Sequence, residues 1–261
     1  WPAGLPASAL IPDVPFIAQE DYQCGPAALS MVAQAAGVQQ DMASWVEQVY
    51  VPARQGSLQP EMLAASRRNG LPAYLLQPQL GAVLREVAAG NPVLVFQNLS
   101  FGFAPVWHYA VVIGFDRDAN TITLHSGRTE RLQMSLYTFE RTWARGNHWA
   151  MVALKPQRLP ATAQADAYVA SVVALERVQP AAAQAAYASA LQAWPEHRVA
   201  LLGAGNSAYA LGQLDAAARA YRHATQVHPD HADAWNNLAQ VLYEQAQYSQ
   251  ALQAAQRAVA Q

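Results

Sequence analysis

Apolar positions recur at helical spacing through the first third of the chain. In the first of these stretches, Leu29, Val32, Ala33 and Ala36 stand at i, i+3, i+4 and i+7 before Gly37 ends the run. Similar patterns further along lead us to predict helices over about 25–36, 40–50, 58–69 and 79–89.

Alternating and β-branched stretches follow these helices. They predict short strands separated by turn residues, over Val93 to Phe96, Tyr109 to Phe115, Thr121 to Leu124, Arg128 to Met134 and His148 to Leu154. Short strands joined by turns favour an antiparallel meander. Helices followed by such a sheet predict an α+β domain over residues 1–155.

The remainder of the chain is alanine-rich and repeats at a spacing of about 34 residues. The repeated positions are small residues, tyrosines and prolines, as in Ala183, Ala217 and Ala251, in Tyr187 and Tyr221, and in Pro195 and Pro229. This period is typical of tetratricopeptide repeats. We predict an all-α domain over 166–261 with about three units, 164–197, 198–231 and 232–261. Residues 156–165, which contain Pro156 and Pro160, are predicted to be a linker.

Stacked repeats of this kind form a concave surface. We therefore expect the second domain to bind a peptide or protein partner in its groove rather than to catalyse a reaction.

Composition and charge narrow the class of protein. Of the 261 residues, 52% are hydrophobic and 13% charged, which indicates a folded chain long enough for two domains. The net charge of −2 comes without a basic block, so a nucleic-acid partner is not expected. No apolar stretch reaches the roughly 20 residues of a spanning helix, so no transmembrane segment is predicted.

The N-terminus suggests a location. The chain begins at Trp1, and its first methionine is Met31, inside the first predicted helix. We expect that a secretory or lipoprotein signal precedes Trp1 in the precursor, which would place the protein in the bacterial periplasm or cell envelope. A cytoplasmic location is the alternative.

Cys24 is the only cysteine and stands at the predicted start of the first helix. The positive end of a helix dipole lowers the pKa of a thiol, which favours the reactive thiolate. His108 stands at the start of a long apolar run, Tyr109 to Phe115, that reads as a buried strand. A cysteine at a helix start and a distant histidine at a strand start form the arrangement used by papain-type cysteine hydrolases.

Three stretches resemble the bacteriocin-processing cysteine peptidases of the C39 family, and especially its stand-alone C39-like members. They are Val14 to Gln19, Tyr22 to Val32 and His108 to Asp116. The resemblance covers about residues 12–155. It implies a papain-like fold in which the cysteine attacks a peptide carbonyl, commonly after a double glycine in a leader sequence. It also implies Cys24 as nucleophile, His108 as general base and acid, and Gln19 as the side-chain donor of the oxyanion hole.

The third catalytic position departs from the family. Family members usually carry an aspartate after the histidine strand, whereas here the stretch is Ile122-Thr123-Leu124-His125-Ser126-Gly127 and Ser126 occupies the place. A serine hydroxyl can hold the imidazole tautomer but cannot neutralise an imidazolium, so Ser126 is a candidate orienter of His108. Asp116 and Asp118 lie at the far end of the histidine strand.

Two functions of different classes stay open. The first is a cysteine peptidase acting on a peptide or protein, with repeats that recruit a substrate or partner. The alternative is a binding or scaffold protein with a weak or inactive peptidase-like domain, and a third option is acyl transfer. No cofactor and no metal site are expected, because His125, His108 and His148 lack ligand spacing. The aromatic loop 98–107 beside His108 either lines the substrate cleft or is an ordinary packed loop.

Overall fold

The computed structural model describes residues 1–21 and 23–261. Tyr22, which belongs to one of the stretches that carry the family resemblance, lies outside them. The described residues form two compact units. The first contains Trp1–Lys155 and Pro160–Ala163, and the second contains Pro156–Leu159 and Gln164–Gln261.

Five α-helices belong to the first unit in the described residues. They are α1 (Cys24–Ala35), α2 (Met42–Val49), α3 (Gln59–Arg68), α4 (Leu80–Ala88) and α5 (Leu136–Ala144), with a short 3₁₀ helix at Pro52–Arg54. Helix α2 begins after Asp41, whose carboxylate accepts the Ser44 N–H at 2.8 Å and so caps the helix. Helix α5 was not predicted, although Ser135 caps its start in the same way by accepting the Thr138 N–H.

In residues 1–21 and 23–261, seven strands form one antiparallel sheet. They are β1 (Ser8–Leu10), β2 (Ala73–Leu75), β3 (Val93–Asn98), β4 (Trp107–Asp116), β5 (Thr121–Ser126), β6 (Thr129–Ser135) and β7 (Ala150–Ala153). The spatial order is β2-β7-β3-β4-β5-β6, and β1 pairs with the end of β4. Strands β3 to β6 form the predicted meander, but β7 returns to the opposite side of β3, so the sheet as a whole is not a meander. The predicted α+β class is confirmed.

The core of the first unit lies between the sheet and the first three helices. Leu29 and Val32 of α1, Trp45 of α2 and Met62 of α3 are buried in one hydrophobic cluster with Val111 of β4. These α1 residues are the ones that the helical spacing assigned to one face. Helix α1 is therefore held against β4, and its first residue, Cys24, is brought to the level of the strand that carries His108.

A buried carboxylate ties part of the predicted linker to the first unit. Glu86 of α4 is fully buried, and its oxygens accept hydrogen bonds from Asn91 Nδ2, Ala161 N, Thr162 N and Thr162 Oγ1. Four donors compensate the cost of burying this charge. Residues Pro160–Ala163 consequently form part of the first unit, whereas Pro156–Leu159 belong to the second.

The second unit is entirely helical in the described residues, as predicted. Its helices are α6 (Ala165–Val173), α7 (Pro180–Ala193), α8 (Arg198–Ala210), α9 (Leu214–Val227), α10 (Ala232–Glu244) and α11 (Tyr248–Val259). They form three consecutive pairs. Small residues allow close packing between helices: a Cβ added to Gly203 of α8 would overlap the ring of Tyr187 in the preceding pair, and one added to Gly205 would overlap Tyr221 within its own pair.

Candidate active site

Cys24 is the first residue of α1, as the sequence predicted. Gln23 precedes the helix without a side-chain cap, and the thiol-bearing residue itself is partly buried. The following glycine has a packing role, because a Cβ on Gly25 would overlap the side chain of Ser57. Glycine thus allows the start of α1 to approach the segment before α3.

The Cys24 thiol has a mixed electrostatic environment. Burial raises the pKa of this thiol above its ordinary value, and the backbone N–H groups of Tyr109, Gly25 and Cys24 act in the opposite direction. The N–H groups at the helix start therefore lower the thiol pKa, as expected. The net direction is nevertheless upward, so the expectation of a lowered thiol pKa is wrong, because desolvation at this helix start is stronger than the N–H dipoles.

His108 is the second residue of β4 and is 6% exposed. Its Nε2 atom lies 2.8 Å from Ser126 Oγ. Desolvation by burial lowers the pKa of His108 to about 4, so the imidazole is neutral at neutral pH. The structure thus brings His108 of β4 and Ser126 of β5 together across neighbouring strands.

A local irregularity of the sheet lies where Ser126 makes this contact. The pairing of β5 with β6 shifts in register between Leu124 and Ser126. Such bulges change the direction of a side chain relative to regular alternation. The contact between Ser126 and His108 therefore depends on local strand geometry as well as on sequence position.

The sulfur and the imidazole are linked through the backbone of β4. The N–H of Tyr109, the residue after His108, interacts with the Cys24 thiol. In the described part of the chain, the thiol and the imidazole share no direct hydrogen bond. Since Nε2 of His108 contacts Ser126, Nδ1 is the ring atom available to a thiol. Catalytic hydrogen bonds are commonly long before substrate binds.

Gln19 lies near the same end of β5. Its backbone N–H donates to the carbonyl of Gly127 at 3.2 Å. Its side-chain Nε2 would lie 3.8 Å from a Cβ built on Gly127. Gln19 is therefore adjacent to the residue that follows Ser126, and it is partly exposed.

Sequence reasoning missed the role of Tyr109. Its buried hydroxyl donates to the Ser57 carbonyl at 3.1 Å, and its backbone N–H interacts with the Cys24 thiol. Burial, with smaller effects from Cys24 and Glu61, raises the pKa of this hydroxyl. Tyr109 thus connects the histidine strand to the start of α1 and to the segment before α3. A tyrosine inside an apolar run carries no sequence signal for a backbone contact.

The loop between β3 and β4 exposes several aromatic side chains beside His108. Phe103 is 89% exposed and stacks on Phe101, while Trp107 stacks on Phe96 with ring centres 5.2 Å apart. Asn98 Oδ1 shapes the loop by accepting the N–H groups of Ser100 and Val106.

The three histidines considered for a metal site have other partners. His125 Nδ1 accepts the Arg131 N–H at 3.2 Å, so its Nε2 donates to the Val14 carbonyl. His148 Nε2 contacts a carboxylate oxygen of Glu140. Among residues 1–21 and 23–261, no three His, Cys, Asp or Glu side chains are grouped to hold a metal ion. Within the same ranges, we find no helix with the length and apolar character needed to cross a bilayer.

Two family models match the chain. Residues 11–151 match the Peptidase_C39 like family, and residues 202–261 match a tetratricopeptide repeat. Among curated proteins, none matches the sequence.

Two solved structures are similar to part of the chain at low sequence identity. A protein described as a C39-like peptidase from Bacillus anthracis is 16% identical with a TM-score of 0.48, over 57% of this chain and 98% of that chain. A double glycine motif protease from an AMS/PCAT transporter, in complex with its leader peptide, is 20% identical with a TM-score of 0.42, over 56% of this chain and 93% of that chain.

The predicted resemblance and the predicted repeats are confirmed by the family models, whose matched ranges lie in the two units found in the structure. The chain belongs to the Peptidase_C39 like family, whose model matches its first unit, and this unit is followed by tetratricopeptide repeats.

Proposed function

We propose that the chain is a cysteine peptidase that cleaves a peptide or protein, with Cys24 as nucleophile and His108 as general base and acid. One observation carries the proposal. The thiol at the start of α1 interacts with the N–H of Tyr109, and the neighbouring buried His108 is held at Nε2 by Ser126. A thiol, an imidazole and a hydroxyl group are thereby arranged around the start of one strand.

The first chemical step follows from the imidazole geometry. Nδ1 of His108 accepts the thiol proton while the sulfur attacks the substrate carbonyl carbon, and Nε2–H donates to Ser126 Oγ. The carbonyl oxygen becomes negative in the tetrahedral intermediate. The Cys24 backbone N–H and the Gln19 side-chain amide are proposed to donate to that oxygen.

His108 then protonates the leaving amine, the C–N bond breaks, and a thioester forms with Cys24. Water attacks the thioester carbonyl, with His108 accepting its proton. The C–S bond breaks, His108 protonates the departing Cys24 sulfur, and the new carboxylic acid is released and loses its proton to solvent. Each proton removed by His108 is donated again within the cycle.

The resting pair is neutral in this proposal. Burial raises the pKa of Cys24 and lowers that of His108, so both shifts disfavour a thiolate and imidazolium before attack. Proton transfer therefore accompanies attack. A hydroxyl partner for His108 fits this scheme. A neutral imidazole has no charge to balance, so its partner needs only to hold the correct tautomer.

The same observations favour a second candidate function, a binding protein with little or no turnover. In that function, Ser126 at the usual aspartate position and the raised pKa of Cys24 reflect lost activity, and the tetratricopeptide repeats bind a partner. The repeats are proposed to recruit a peptide or protein in either case.

Labelling with a peptidyl epoxide separates the two functions, since this reagent alkylates cysteines that have a functioning acid–base partner. We expect wild-type protein to be labelled at Cys24, and His108→Ala to be labelled about 10²-fold more slowly, the usual size of a general acid–base contribution. Iodoacetamide, which reports the thiol alone, serves as the matched control reagent.

The enzyme proposal fails if the epoxide labels Cys24 no faster in folded protein than in urea, and if His108→Ala changes neither reagent's rate. Cys24→Ala identifies any labelling elsewhere. Amine-linked products in a reaction supplied with an amine acceptor would instead indicate acyl transfer.

A further inference from the structure

The second unit contains a polar cavity of about 250 Å³. Its lining includes Glu176, which follows α6, Asn206 and Tyr209 of α8, Tyr221 of α9 and Asn237 of α10. The lining residues therefore come from all three helix pairs. Tetratricopeptide repeats place residues from successive units along one concave surface, and polar side chains from the three units meet at this cavity.

Hydrogen bonds hold the walls of the cavity. The Tyr187 hydroxyl donates a hydrogen bond to Glu176 Oε1. The Tyr221 hydroxyl donates to Asn206 Oδ1 at 2.8 Å, and Asn237 Nδ2 donates to the same oxygen at 3.2 Å. Gly203 and Gly205 leave the space that these two tyrosine rings occupy. The polar groups are therefore positioned before a ligand arrives.

The charge of the cavity is negative. Glu176 is the charged residue in its lining, and in the described residues this carboxylate takes part in no ion pair. Burial, together with the charge of Glu176, raises the pKa of Tyr221 to about 12. Glu244, which stands at the equivalent position of the third unit, differs because Tyr209 and Gln240 both donate to its Oε1.

We propose that this cavity binds a basic side chain, an arginine guanidinium or a lysine ammonium, from a peptide that lies in the repeat groove. The inference rests on the proposed partner-binding function of the repeats and names the chemistry of the partner. The donor side of such a group would meet the Glu176 carboxylate in the cavity lining. The exposed ring of Tyr209 offers a face for a guanidinium to stack on.

Other ligand groups fit less well. An acidic side chain would meet Glu176 without a neighbouring cation in the cavity lining. An apolar side chain would remove the carboxylate from water without replacing its hydrogen bonds, which is unfavourable. Charge complementarity therefore selects a cation.

The test uses the full chain carrying Cys24→Ala, so that bound peptides are not cleaved. It is immobilised and screened with a random dodecapeptide library displayed on phage. Selected peptides are then synthesised with each Arg replaced by citrulline, which keeps the shape of the guanidinium but not its charge, or with each Lys replaced by norleucine. Affinities are measured for the parent chain, for Glu176→Gln and for Glu196→Gln. Glu196 is an exposed glutamate of the same unit that lies outside the cavity lining.

We expect selected peptides to share one basic position whose neutralisation weakens binding by about tenfold, the order expected for a charge-assisted hydrogen bond. Glu176→Gln should weaken binding of the unmodified peptide by a similar factor, and neutralising the basic position should then have no further effect on affinity. Glu196→Gln should behave as the parent. The glutamine retains an acceptor for Tyr187, so the fold of the unit is preserved.

Three outcomes overturn the inference. In the first, the selected peptides share no basic position. In the second, neutralisation weakens binding to Glu176→Gln as much as binding to the parent chain. In both cases peptide binding is retained and the cation site is disproved. If no peptide is selected, the partner-binding function of the repeats fails with it. Epoxide labelling of Cys24 is independent of all three, so the peptidase proposal is judged separately.

Discussion

Ser126 Oγ lies 2.8 Å from Nε2 of His108, at the place where a carboxylate is expected in this family. A carboxylate only accepts a hydrogen bond, whereas a hydroxyl either accepts or donates. When Ser126 accepts, Nδ1 of His108 is free to take the thiol proton. When Ser126 donates, Nε2 is the unprotonated nitrogen and Nδ1 carries the proton, which makes the ring unsuited to activate Cys24.

Ser126→Asp is therefore predicted to increase activity. A carboxylate holds the productive tautomer and favours the imidazolium that forms during attack, so we expect the rate of epoxide labelling to rise by about tenfold, as for one charge-assisted hydrogen bond. Ser126→Ala should lower it. Thr129→Asp, which adds a charge at the cross-strand partner of Ser126, is the matched control and should have little effect. An equal gain in both aspartate variants would show a general field effect instead.

The stability of the first unit should fall as the solution is acidified. Folded His108 has its pKa lowered to about 4, whereas the unfolded imidazole titrates near 6.5, so between these values the unfolded state binds more protons. This group contributes stability that is complete above about pH 6.5 and is lost as the pH falls through 4. The loss amounts to about 2 kcal/mol by pH 5 and about 3 kcal/mol in total.

Amide hydrogen exchange of β4 measures this effect within the first unit, after correction for intrinsic exchange rates. The free energy of opening measured at pH 7 and at pH 5 should differ by about 2 kcal/mol less in His108→Gln than in the parent chain. His223 is an exposed histidine of the second unit, and His223→Gln should leave this difference unchanged. An unchanged pH dependence in His108→Gln would contradict the prediction.

Gln19→Ala is predicted to lower kcat by about 10²- to 10³-fold with a smaller change in KM, because an oxyanion donor acts in the transition state. Turnover is followed by mass spectrometry on a peptide substrate identified with the active enzyme. Gln23→Ala is the control, since Gln23 directly precedes Cys24 and its side chain caps no N–H of α1. Equal losses in the two variants would indicate a local packing effect and not an oxyanion role.

Gly203→Ala is predicted to destabilise the repeats. Replacing glycine by alanine inside a helix usually adds about 1 kcal/mol of stability, but here the new Cβ would overlap the Tyr187 ring. Overpacking of this kind costs about 1–3 kcal/mol, so the sign of the effect reverses. Hydrogen exchange in α8 reports the change. In a Tyr187→Leu background, which leaves room for the methyl group, the same substitution should be tolerated.

Much of the architecture could be predicted from local patterns. The helix that starts at Cys24 follows from a turn and four apolar positions, and it was placed within one residue of its observed start. Strand β4 follows from its continuous apolar run. Helix α5 does carry a helical signal, since Leu136, Phe139 and Trp143 stand at i, i+3 and i+7, and it could have been predicted. The two short strands β1 and β2 are defined mainly by the partners they pair with, so local patterns do not reveal them.

The sequence by itself determined the two-part organisation, the repeat period, and the identity of Cys24, His108, Gln19 and Ser126 as site candidates, because periodicity and short motifs are local properties of a chain. Tertiary structure decided the hydrogen bond between His108 and Ser126, the N–H of Tyr109 at the thiol, and the upward pKa shift of Cys24. It also decided that Glu176 lines a cavity whose lining contains no basic side chain. These depend on burial and on groups distant in sequence, whose positions are set only when the helices and strands pack together.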